Sequence, residues 1–70
     1  MLFTDVSTER AVRALKKVGF RVTRSGKHLV LTDGERLVTV PRHGRLNPYT
    51  LRNIIRDAGL TDQAFKELLA

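Results

Sequence analysis

The residues best placed to do chemistry in this chain lie together in Arg24-Ser25-Gly26-Lys27-His28. His28 is one of two histidines, and Arg21, Arg24 and Lys27 lie close to it in sequence. Imidazole both takes and gives protons near neutral pH, and cations beside it would gather a phosphodiester and neutralise its charge. The stretch separates two strand-like runs, Phe20 to Thr23 and Leu29 to Thr32. It therefore predicts a hairpin with His28 at the head of the second strand. Gly26 is expected to close the turn through a positive φ, which glycine adopts at no steric cost. On chemistry alone, the commoner outcome of such a pattern is a basic hairpin with a surface histidine.

The elements around the hairpin follow from capping residues and periodicity. Ser7 is an N-cap with Glu9 in the first turn, and Val6 is placed to staple on Ala11. Ala11, Val12, Leu15 and Val18 fall at helical spacing and Gly19 ends the run, so the first helix is expected over 8–18. Leu29 to Thr32 is apolar almost throughout, as a central strand would be. Asp33-Gly34 is a strong hairpin turn, and Glu35 to Val40 supplies a third strand that Pro41 stops or marks as an edge. Asn47-Pro48 reads as N-cap and N1 of a helix carrying Leu51, Ile54, Ile55 and Ala58, with a Leu46–Leu51 staple and Gly59 at its end. Leu60 is placed to pack on that cap. Thr61 caps a last short helix with Ala64, Phe65, Leu68 and Leu69 as packing residues. The expected fold is a two-layer α+β domain, α-β-β-β-α with a short extra C-terminal helix, in the order of double-stranded RNA-binding domains.

Seventy residues make one domain, 1–70, with an economical core. Thirteen Lys and Arg stand against seven Asp and Glu, and the excess is uneven. Between residues 10 and 45 there are ten basic and two acidic side chains, a balance of +8; residues 46–70 carry three of each and balance to zero. Polyanions bind such a surface by releasing counterions, which points to nucleic acid. No apolar run approaches the roughly 18 residues of a membrane span, and the N-terminus lacks a basic segment leading into an apolar block. A soluble, cytoplasmic protein is expected, without membrane association. With no cysteine, and no carboxylate cluster near either histidine, neither a disulfide framework nor a metal or cofactor is expected.

Taken together, Gly19-Phe20, Gly26-Lys27-His28, Val38-Thr39-Val40-Pro41-Arg42-His43, Thr50-Leu51 and Ala58-Gly59-Leu60-Thr61 resemble the HicA toxins over nearly the whole chain. The resemblance implies a double-stranded-RNA-binding-domain-like fold, endonucleolytic cleavage of messenger RNA, and silencing by a HicB antitoxin. It also implies a catalytic role for His28, which matches the histidine of the family's Gly-Ser-His motif. Lys27 stands here in place of the serine, and Tyr49 where many relatives have glycine.

RNA carries its own nucleophile, the 2′-hydroxyl, so cleavage asks only for proton transfer and charge neutralisation. His28 is the expected proton-transfer residue, with Lys27 and Arg24 on the scissile phosphate. His43 is the candidate second proton-transfer residue, although a loop histidine more often has a structural role. Arg21 and Gly26 complete the expected RNA-binding hairpin. Arg13, Lys16 and Lys17 either track phosphates beside it or form a solvated helix face. Tyr49 is expected to pack. Few aromatics are present and most should be core, so binding led by the RNA backbone fits better than base stacking. A non-catalytic RNA-binding module of the same fold is the alternative. A DNA-binding regulator is a third reading, but no recognition helix is evident.

Overall fold

The computed structural model describes residues 3–70. Its order is α1 (Thr8–Lys16), β1 (Arg21–Ser25), β2 (His28–Thr32), β3 (Leu37–Pro41), α2 (Pro48–Asp57) and α3 (Asp62–Leu69). The strands form one antiparallel sheet in the order β1-β2-β3. The helices cover one face of it, giving the α+β architecture of double-stranded RNA-binding domains with an added C-terminal helix.

Each helix begins where its capping residue accepts a backbone N–H. Ser7 accepts from Arg10, Asn47 from Tyr49 and Thr61 from Ala64. These side chains satisfy donors that have no partner within the helix. The first helix ends earlier than position 18. The N–H groups of Lys17 and Val18 turn back to Ala14 and Leu15, and Gly19, at φ 97°, reverses the chain. Val18 is consequently 41% exposed rather than part of the apolar stripe.

The core gathers Leu15 from α1, Leu31 from β2, Val38 and Val40 from β3, Leu51 from α2 and Phe65 from α3, all fully buried. Val6, Ala11, Leu46 and Leu51 are buried in the same cluster, as the two staples require, and the Leu46 N–H donates to the Val6 carbonyl at 2.7 Å.

The third strand begins at Leu37, two residues later than expected. The Asp33 carboxylate accepts the N–H groups of Arg36 (2.8 Å) and Glu35 (2.9 Å), and the Thr32 hydroxyl donates to the Arg36 carbonyl at 2.7 Å. These local bonds take backbone groups that the ladder would otherwise use. The same N–H groups, Arg36 first and then Glu35, hold the Asp33 carboxyl below its ordinary pKa.

Thr8 ties the start of α1 to the end of β3. Its hydroxyl donates to the Pro41 carbonyl and accepts the His43 N–H at 2.8 Å, while its own N–H donates to the His43 carbonyl. Thr8→Val would strand a backbone donor and an acceptor in a part-buried site. We expect a loss of about 1–3 kcal/mol by urea unfolding; a change within about 0.5 kcal/mol, as at ordinary surface positions, would show that the clamp is dispensable. Among the described residues, no helix is long and apolar enough to cross a membrane.

Candidate active site and nucleic-acid interface

The site is built by the pleat of the sheet and one irregularity in it. Successive side chains of a strand point to opposite faces. Leu31 is buried under the helices and Leu29 packs against that core, so His28, Val30 and Thr32 point to the helix-free face. His28 is exposed there, paired across the ladder with Pro41.

In β1, strict alternation would put Arg21 and Arg24 on opposite faces, because they are three residues apart. The register instead slips between Val22 and Arg24: Arg21 faces Thr32 and Arg24 faces Val30, with Thr23 left over. The Thr23 hydroxyl donates to the Val30 carbonyl at 3.3 Å across this bulge. Both arginines therefore share the face of His28. Arg24 lies diagonally across from it, a spacing of about 7–8 Å between Cα atoms in antiparallel sheets and within reach of long side chains. Arg21 sits further along the same face. Bulges of this kind re-aim side chains next to functional sites.

The turn carrying Lys27 is held differently from the sequence expectation. Gly26 is not among the glycines with positive φ, which are Gly19, Gly34 and Gly59. Ser25 pairs with Leu29, so Gly26, Lys27 and His28 together make the reversal, and no left-handed residue is needed. The fastening comes from a distant side chain. Arg42 Nε donates to the Gly26 carbonyl at 2.7 Å, and its Nη2 donates to the Ser25 hydroxyl. The guanidinium fork thus pins the turn to the end of β3. Lys27 is exposed on this turn beside His28.

Of the remaining candidates, Arg13, Lys16 and His43 share a groove, and Lys17 lies outside it. Lys16 and Arg13 line an open groove between α1 and the segment after β3, and His43 lines its other side. The two imidazoles thus belong to the same end of the sheet, His28 on the helix-free face and His43 on the groove side. Arg13 is also 3.6 Å from Glu9, an exposed pair one helical turn away. Lys17 has a structural engagement: its ammonium donates to the carbonyls of Leu68 (2.8 Å) and Ala70 (3.1 Å) at the end of α3. Tyr49 is 65% exposed and does not pack as expected, whereas Phe3, Phe20 and Phe65 are all core. No group of three His, Cys, Asp or Glu side chains suited to a metal ion lies among the described residues.

Sequence reasoning missed Arg42 and Thr23. Arg42 was visible as a cation beside His43, but its partners lie 16 and 17 residues away and no local pattern announces them. Thr23 looks like an ordinary strand residue; only the pairing register exposes the bulge.

No curated protein matches the chain closely enough to serve as a relative. The family model described as HicA toxin of bacterial toxin-antitoxin matches residues 8–60, which run from the first residue of α1 to just past α2. That span contains the hairpin, the bulge, the Arg42 clamp and both histidines, and it covers well over half of the sequence. The chain belongs to the HicA toxin family of bacterial toxin–antitoxin systems.

Proposed function

We propose that this chain is a metal-independent endoribonuclease that cuts messenger RNA in the cytoplasm, with His28 transferring a proton and Lys27 and Arg24 holding the scissile phosphate. The observation that carries this reading is the convergence of His28, Arg24 and Lys27 on one uncovered end of the sheet, in a family of toxins. In the reaction, the 2′-oxygen bonds to phosphorus as its proton is taken up, and the bond from phosphorus to the 5′-oxygen breaks as that oxygen receives a proton. The products are a 2′,3′-cyclic phosphate and a free 5′-hydroxyl. A positioned imidazole contributes about 10²–10⁴-fold to such proton transfers. The cations act on the charge that builds at phosphorus. Arg21 extends the same face for backbone binding of the strand. A HicB-like antitoxin would silence the chain by covering this helix-free face, which the fold leaves open.

The nucleophile supplies the test. An RNA carrying a single 2′-deoxynucleotide immediately 5′ to a mapped cut should resist cleavage at that bond and remain cut elsewhere. Undiminished cleavage at the deoxy position would show that water is the nucleophile.

One observation favours a second reading, an RNA-binding module without catalysis: His43, the only other histidine, lines the groove and not the face of His28. Retention of intact RNA by the purified protein, with no cutting over prolonged incubation, would establish that reading.

A further inference from the structure

The groove between α1 and the segment after β3 has a volume of about 580 Å³ and opens to solvent. Val12 and Leu29 supply apolar surface in it, Lys16 and Arg42 supply positive charge, and His43 and Gly44 complete one wall. Its place in the fold ties it to the catalytic end. Leu29 follows His28 in β2, and Arg42 follows Pro41, the ladder partner of His28. The groove and His28 are thus two sides of one sheet end.

We propose that this groove is a subsite for one nucleotide of the single-stranded RNA, next to the scissile phosphate. Its base would lie on Val12 and Leu29 and its phosphate between Lys16 and Arg42. The inference rests on the reading that the chain binds RNA, and adds where a flanking nucleotide goes.

Three features support this occupant. The charge is complementary, since the one carboxylate in the lining, Glu9, lies within 3.6 Å of Arg13 and leaves Lys16 and Arg42 to a phosphate. A guanidinium has five N–H donors, and the bonds from Arg42 to Gly26 and Ser25 use two of them. A phosphate bound by Arg42 would therefore be held in a fixed relation to the turn that carries Lys27 and His28. Finally, the apolar surface is aliphatic, and the one exposed aromatic, Tyr49, lines a different depression on α2 together with Arg52. A base resting on aliphatic side chains suits a site that accepts more than one base.

The test uses the full chain carrying His28→Ala, so that bound RNA stays intact, and a short single-stranded oligoribonucleotide as the probe. Lys16→Glu is compared with Arg52→Glu, which makes the same change in net charge away from the groove. Lys16→Glu should weaken binding at least about tenfold and reduce the dependence of log affinity on log salt by about 1, with Arg52→Glu changing affinity less than about threefold. On titration, the backbone amide resonances of Val12, Leu29 and Gly44 should move. Equal weakening by the two variants, or saturation with those three amides unmoved, would overturn the subsite. Cleavage by the unaltered chain is measured in parallel. If it cuts RNA while the variants behave alike, the subsite falls and the proposed function stands. If it neither binds nor cuts RNA, both fall.

Discussion

Replacing Phe65 with alanine is expected to cost about 3–5 kcal/mol of stability, the range for deleting a buried aromatic ring. Phe65 is fully buried, and its ring meets Phe3 edge-on, with centroids 5.4 Å apart and planes at 79°. Aromatic pairs of this geometry add about 0.5–1.5 kcal/mol beyond the area they bury. At the usual 0.05–0.15 kcal/mol per residue, a chain of this length has on the order of 3.5–10 kcal/mol in total. The variant should therefore lose between a third and all of its stability, read as a lowered midpoint in urea unfolding followed by circular dichroism. The residue lies in α3, outside the segment shared with the family, 8–60. A loss under about 1 kcal/mol would mean that α3 is an appendage; the expected loss makes it part of the core that holds the sheet. The Lys17 bonds to the carbonyls of Leu68 and Ala70 fit the second outcome.

Much of this fold was legible because its signals are local. Ser7, Asn47 and Thr61 cap their helices from within three residues, and Gly19 and Gly59 end theirs with positive φ. Alternation and the turn residues gave the three strands, and helical periodicity gave most of the apolar positions of the three helices. Competing local bonds explain two of the misses: the Asp33 carboxylate delays β3, and tightening of the last turn releases Val18 to solvent. The turn at Gly26 was misjudged because its fastening comes from Arg42, beyond the third strand. Long-range contacts of that kind, and the pairing slip at Thr23, leave no mark in a window of neighbouring residues.

The face of His28 was legible only in part. The strand pattern placed His28 at the head of β2, but strict alternation would have turned Arg24 toward the helices. The bulge brings it back. The family resemblance supplied the role proposed for the histidine, and the geometry adds the Arg42 clamp and the separation of His43 from the outer face.

His28→Ala is expected to carry the largest functional effect. His28 is exposed, so truncation opens no cavity and stability should stay within about 0.5 kcal/mol, as for ordinary surface positions. The cations that would hold the phosphate remain, so RNA affinity should change less than about threefold. Only the proposed proton transfer is lost. Its removal should lower the cleavage rate by about 10²–10⁴, equivalent to about 2.7–5.4 kcal/mol of transition-state stabilisation. A fall in rate that merely followed a fall in affinity would assign His28 to binding.

The most direct test is a pair of initial-rate measurements on end-labelled RNA in excess chelator, one with the intact chain and one with His28→Ala at the same concentration. The account predicts internal cleavage by the intact chain, undiminished by the chelator, and a rate at least about a hundredfold lower for the variant, within the range expected of a lost proton-transfer group. Equal rates for the two proteins would contradict it.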